Sequence, residues 1–443
     1  MFTNRALVKL IVPLIAEQFL VIFIGLADTM MVTGISEAAV SAVSLVDSVN
    51  VLLTQLFSAM SAGGAVVAAQ YLGKQEPLNA CKAAKQLFYV TFLLACAISV
   101  ISVTANRALL SLIFGTLTEE TLRYCETYFL LSALSYPFLA LYNSGAALLR
   151  AMGDSRASMF TSLIMNVINV GGNALLIYGC KLEVAGAAIA SLVSRGVGAG
   201  VMVMLLLDIR HPIHLIHPLK WEWSGSMTKR IFRIGIPNGL ENSMFQIGKL
   251  LLAGFISTFG ESLIAANAIT GNICSMGNLP GNAVGLAMIA VIGQCVGAGE
   301  TKQAKQYTIK LMGSIYVMQG LICAVLLLFT REIVSLFGLS PLGVNASEEA
   351  LKLTAVMCAL FWPVSFALPN ALRAAGDAKY TMSVSVASMW LCRIGLSYLI
   401  CGWLPPEHKL LGIWTAMTLD WVVRGAAFVI RYCRGKWLTK KVV

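Results

Sequence analysis

Along this chain the apolar residues do not alternate with polar ones at the spacing of an amphipathic soluble helix; they fall into long unbroken stretches. Each is about 20 to 25 residues long, enough for a helix to cross a hydrocarbon core roughly 30 Å thick. The pattern predicts twelve spans: 10–33, 46–70, 86–105, 124–148, 158–178, 184–206, 235–258, 265–294, 307–329, 350–371, 380–402 and 411–431. The first is too long for a secretory signal and contains Glu17 and Asp28, so it is expected to remain as a helix. Ten-residue alternating segments of the kind that build membrane barrels are not seen. The expected fold class is an all-α membrane protein of twelve transmembrane helices.

Composition agrees with that pattern. Of 443 residues, 58% are hydrophobic and 12% charged, against roughly 25% charged in ordinary soluble domains, and the mean hydropathy is +0.79. Distributing the 32 Lys and Arg residues over the twelve-span layout puts 22 on the side that holds both termini, 6 on the other and 4 inside spans. Basic residues accumulate on the cytoplasmic side of short membrane loops, so both termini are expected in the cytoplasm. Short loops fit a multi-pass protein of a bacterial inner membrane. The net charge of +11 follows from that topology and from anionic inner-leaflet lipid, and no nucleic-acid partner is needed. The eleven cysteines are scattered without C-x-x-C spacing and read as packing residues. His211, His214 and His217 recur at three-residue spacing, but Pro212 and Pro218 interrupt any helix that could align them on a metal. No phosphate loop, zinc-protease helix, nucleophile elbow or dinucleotide fingerprint occurs, so an enzyme is not expected.

The chain also repeats itself. Pro13-x3-Glu17 returns as Pro237-x3-Glu241; Gln70-x2-Gly73-x2-Glu76-x3-Ala80 as Gln294-x2-Gly297-x2-Glu300-x3-Ala304; Leu149-Arg150-Ala151-x-Gly153-Asp154 as Leu372-Arg373-Ala374-x-Gly376-Asp377. The offset is about 224 residues. Six spans per half is an even number, so the halves share one orientation and are related by a pseudo-two-fold along the membrane normal. This predicts an N-lobe at 1–208, a cytoplasmic inter-lobe linker at 209–232 and a C-lobe at 233–443.

Four acids fall well inside spans, away from their ends: Glu17, Asp28, Glu241 and Asp420. Charges at membrane depth cost a few kcal/mol and face the protein interior, where they mark ion or proton paths. Glu17 and Asp28 are eleven residues apart, about 20° beyond three full turns, and share one face of the first helix. Asn166, Asn169 and Asn173 stripe one side of the fifth helix, and Ser191 lies at similar depth on the sixth. A carboxylate, amide oxygens and a hydroxyl suit a hard cation such as Na+, and the same carboxylate can instead carry a proton. Arg195, one turn beyond Ser191, stands by depth between Asp28 and Glu17. Asp420 and Arg424 are spaced i, i+4 and are expected to neutralise each other. Lys249 and Arg393 are candidate counter-ions for Glu241 or substrate-repelling groups.

These motifs, in order and doubled, resemble the multidrug and toxic compound extrusion (MATE) family over nearly the whole chain. The resemblance rests on P-x3-E with G-L-A-D-T at 25–29, the paired loops, N-x3-N at 169–173 followed by L-L-I-Y-G, and G-A-A-I-A-S at 186–191. It implies two six-helix lobes in a V and export of drugs or toxins, hydrophobic and cationic, in exchange for Na+ or H+. Carried over by position, it makes Asp28 the coupling carboxylate and a Na+ ligand if sodium couples, Pro13 the point where the first helix bends, and Asn169, Asn173, Ala187 and Ser191 further ion-site positions. Position 173 often holds Asp in this family and position 191 often Thr, so this site has one carboxylate fewer. Glu241 is the nearest second-lobe counterpart. The expected function is therefore a monomeric antiporter working by alternating access, in contact with membrane lipid and a small organic substrate, with no cofactor beyond the coupling H+ or Na+. The alternative is a lipid or glycan-lipid flippase of the same superfamily.

Overall fold

The structure, a computed structural model, describes residues 2–115, 117–216, 220–440 and 442–443, with the backbone alone at Leu26 and Thr29. Among the described residues there are no strands. The chain divides into two compact units, Phe2–Gly239 and Leu240–Val442.

The first unit contains α1 (Asn4–Val32), α2 (Glu37–Gly73), α3 (Pro77–Thr104), the short α4 (Asn106–Phe114), α5 (Glu119–Ala151), α6 (Ser155–Asn173), which continues through a wide π turn at Ala174–Gly179, and α7 (Glu183–Leu207). The helix starts follow local chemistry. Ser36 caps α2 by accepting from the Ala39 amide, Thr118 caps α5, and Asp154 caps α6 by accepting from the amides of Arg156 and Ala157. Pro77 opens α3, where its missing N–H costs nothing. α2, α3 and α5 pack on one another, and α6 packs between α1 and α7. The core is built largely of Ala, Val and Leu, with Phe57, Phe129 and Tyr136 fully buried among them.

The division between units falls inside α8 (Gly225–Ser257), whose first turns belong with the first unit. There α2 and α8 touch backbone to backbone: a Cβ on Gly63 would lie 2.7 Å from the Gly235 nitrogen. Small residues at such crossings let membrane helices approach closely. The described part of the charged segment before α8 is strapped along α3. Gln86 donates to the Glu222 carbonyl at 2.5 Å and accepts from the Ser224 amide at 3.0 Å. Tyr89 donates to the Lys220 carbonyl at 3.0 Å and stacks on Trp221 with ring centroids 4.4 Å apart. Lys85 reaches Glu222 at 3.4 Å.

The second unit continues with α9 (Glu261–Gly277), α10 (Leu279–Gly297), α11 (Thr301–Leu328), the short α12 (Thr330–Ser335), α13 (Pro341–Trp362), which passes through a π segment at Pro363–Ala367 into α14 (Leu368–Ala374), α15 (Ala378–Ser388), which passes through a π segment at Met389–Gly395 into α16 (Leu396–Trp403), and α17 (Lys409–Cys433). The eighth expected span is thus two helices, broken at Asn278 just before Pro280. Ten helices in the described residues are long and apolar enough to cross a membrane. The fourth and seventh expected spans, α5 and α8, are long but richer in polar side chains, and Glu241, Gln246 and Lys249 on α8 show why.

Candidate functional site

In the first unit, three helices bring the expected polar residues together. Asp28, near the end of α1 and 9% exposed, accepts a hydrogen bond from Asn173 on α6 at 2.5 Å. Asn169, one turn earlier, donates to Ser191 on α7 at 3.0 Å. Asn166 turns its amide back to the Ser162 carbonyl at 2.9 Å. The side-chain carbonyl oxygens of Asn166, Asn169 and Asn173 are buried and accept no hydrogen bond among the described residues. Buried acceptors normally find donors, so these are oxygens available to a cation. Asn173, bonded to Asp28, and Asn169 are one turn apart, so with the carboxylate they suit Na+, or a proton on Asp28; Asn166 lies about 10 Å of helix rise from Asn173, too far to share that ion. Ala187 is buried in an apolar cluster with Val32, Ile177 and Val184, and its methyl side chain offers no oxygen to an ion. Pro13 lies inside α1, which is helical on both sides of it.

Asp47 is not among the four acids expected at membrane depth, because it lies at the very edge of the second expected span, 46–70. The Ser36 cap places the true start of α2 at Glu37, two and a half turns earlier, and carries Asp47 into the bundle. Asp47 accepts from Asn50 at 3.1 Å and from the Tyr128 hydroxyl at 3.3 Å, while Tyr136 donates to Asn50 at 2.9 Å. Arg195, whose depth lets it either pair with Asp28 or Glu17 or act on one of them through its charge, makes no ion pair with either: it donates to Ser135 at 2.6 Å, within electrostatic range of both Asp28 and Asp47.

Glu17, 3% exposed, is locked on both oxygens, by Arg150 at 2.9 Å and by Ser158 at 2.7 Å. The second unit repeats the ion pair but not the second bond, since Glu241 Oε2 has no hydrogen-bond partner among the described residues. Glu241 pairs with Arg373 at 2.7 Å, and neither Lys249 nor Arg393 serves as its counter-ion. The two motifs that recur in each half, P-x3-E and L-R-A-x-G-D, are therefore the two ends of one ion pair. Asp420 also departs from expectation. Its partners are Arg393 at 3.3 Å and Ser388 at 2.6 Å, not Arg424 on its own helix. Arg424 instead lies over the Phe366 ring, 4.0 Å from its centroid. Lys249 is exposed and makes no ion pair or hydrogen bond among the described residues. No three His, Cys, Asp or Glu side chains converge on a metal among the described residues; His214 bonds the His211 carbonyl and Cys81, and His217 lies outside them.

The sequence model of the family described as MatE matches residues 13–175 and 237–399. This chain belongs to the MatE family. The second match begins at 237 and the first at 13, the same 224-residue displacement seen in the motifs. Among MATE relatives, the uncharacterized transporter YisQ of Bacillus subtilis is 26% identical over 97% of this chain and 94% of its own. The probable multidrug resistance protein NorM of Thermotoga maritima is 25% identical over 99% of this chain and 94% of its own. A solved multidrug resistance MATE transporter of the MOP superfamily, in an outward-facing conformation, superposes with a TM-score of 0.90 at 19% identity, covering 99% of this chain and 97% of that one. The all-helical architecture is thus the MATE transporter fold.

Proposed function

We propose that this protein is a secondary antiporter of a bacterial inner membrane, with both termini in the cytoplasm, that exports hydrophobic organic compounds in exchange for H+ or Na+ entering at Asp28. Multidrug resistance proteins among its relatives support the export of organic compounds. The observation that carries the coupling site is Asp28 held by Asn173 while the carbonyl oxygens of Asn166, Asn169 and Asn173 are left without donors. A proton or Na+ taken up there neutralises a buried carboxylate, and Na+ can also take up the open oxygens of Asn169 and Asn173, one turn apart; either favours whichever arrangement of the two lobes encloses it. Coupling to substrate follows if substrate favours the other arrangement. The protein acts as a single chain on this reading, and no cofactor is required.

The experiment is dye efflux from proteoliposomes under separately imposed pH and sodium gradients. Wild type exports under one gradient; Asp28→Asn loses the gradient-driven component while keeping dye binding. Equal gradient-driven export by Asp28→Asn and wild type would remove Asp28 from the coupling step.

A further inference from the structure

We propose that the second unit holds a site for the acidic group of an amphipathic organic acid, built by Lys249, Arg393 and Arg424 around Phe245. The inference rests on the export reading and names the substrate class, in place of the cationic compounds that the family resemblance implies. Phe245 and Lys249 are four residues apart on α8 and share one face. The Arg393 guanidinium lies 4.6 Å and that of Arg424 5.2 Å from the Phe245 ring centroid. Just beside Lys249, a Cβ on Gly248 would meet Met389 at 2.9 Å and Ile394 at 3.6 Å, so α8 is seated directly on the π segment that carries Arg393. Lys249 and Arg393 are within electrostatic range of each other.

Two guanidiniums therefore face one ring, with Lys249 one turn further along the same helix face, and one carboxylate, Asp420, is paired among them, with Arg393. The other nearby acid, Glu241, is held by Arg373. Arg424 is 2% exposed, and its Nε and Nη2 donate to nothing among the described residues. The ring faces of Phe245 and Phe366 attract the charge but accept none of these in-plane N–H groups. A buried guanidinium with open donors is costly, and an apolar side chain of similar size would be easier to fold around. Its planar fork matches the paired oxygens of a carboxylate, sulfonate or phosphate. The aromatic wall accommodates the apolar body of the same molecule, and exposed Lys249 offers the acid its first contact.

The test is equilibrium binding, by fluorescence anisotropy in nanodiscs, of fluorescein and rhodamine 123, which share a fused three-ring core and differ in charge. Wild type is expected to bind fluorescein more tightly. Lys249→Gln, at an exposed position that the fold does not depend on, should weaken fluorescein about tenfold and leave rhodamine no weaker; Lys249→Arg should restore it. Arg424→Gln should weaken it further. Equal affinity for the two dyes, or fluorescein binding indifferent to Lys249→Gln, overturns the proposal. Repeating the measurement in phosphatidylglycerol and phosphatidylcholine discs separates the two sources of an anion: displacement of fluorescein by phosphatidylglycerol, lost in Lys249→Gln, assigns the site to a lipid headgroup and overturns the organic-acid assignment. Gradient-driven export of rhodamine without fluorescein binding leaves the export reading standing and removes this one. Lys249-dependent fluorescein binding with no dye moved under any gradient does the reverse.

Discussion

Glu17 and Asp28 share a helix face, yet their surroundings separate their roles. Both Glu17 oxygens are taken, by Arg150 and Ser158, whereas Asp28 accepts from Asn173 and has open amide oxygens around it. Glu17 therefore reads as a structural anchor. Replacing it by Gln leaves Arg150 buried without its counter-charge and should destabilise the protein by about 3 kcal/mol, seen as a lower thermal midpoint in detergent with the coupling ion unchanged. An altered coupling ion in Glu17→Gln would return Glu17 to the ion path. Glu222 shows a charge of another kind. Hydrogen bonds from Lys220 and then Lys85 hold its carboxyl below the ordinary value of 4.5. A depressed folded value means that these contacts help hold the strap above 4.5 and are lost as pH falls through the depressed value. Emission from Trp221, taken as wild type minus Trp221→Phe, should change in that acid range and stay flat in Glu222→Gln.

At the scale of elements, the helix pattern was legible because long apolar runs have one meaning in a membrane, and because a repeat checks itself. The polar site on α1, α6 and α7 was legible from depth and the i, i+3, i+7 spacing of the asparagines. Partner choice was not. The i, i+4 spacing of Asp420 and Arg424 puts them on one face, but Arg393 sits on a π segment, whose extra residue per turn shifts side chains out of the 3.6-residue register. That shift delivers Arg393 to Asp420 as its ion-pair partner and leaves Arg424 linked to Asp420 and Glu241 only through charge at longer range. The Glu17–Arg150 and Glu241–Arg373 pairs had a signal, since both motifs recur at nearly the same offset, but recurrence alone does not say that two motifs touch. The α2–α8 crossing at Gly63 supplies an element-scale prediction. Gly63→Leu must push the Gly235 backbone away, because backbone cannot yield as a side chain does; it should cost about 1–3 kcal/mol and lower folded yield, while Gly115→Leu, with nothing within 4 Å of its Cβ but a φ of +70°, should cost only backbone strain. Equal yields would mean that the crossing is not tight.

For the whole molecule, the basic census predicts which end of each helix faces the cytoplasm, and two cysteines can report it. Cys180, between α6 and α7, and Cys433, at the end of α17, are both exposed. In a bacterial host, a membrane-impermeant maleimide should label Cys180 in intact cells and Cys433 in inside-out vesicles. The opposite labelling would reverse the topology and place Asp28 on the cytoplasmic side, ending its assignment as an entry point from outside.

The two L-R-A-x-G-D turns spell the same letters and reverse the chain through a glycine with φ of +87° at Gly153 and +97° at Gly376. Their last residues have parted ways. Asp154 caps the helix that follows it, through amides at 3.2 and 3.3 Å. Asp377 grips Arg431 with both oxygens, at 2.7 and 3.1 Å, and so fastens the turn to α17. One copy thus serves its own helix and the other acts as a long-range clasp, so the twin loops match in wording yet are not interchangeable parts.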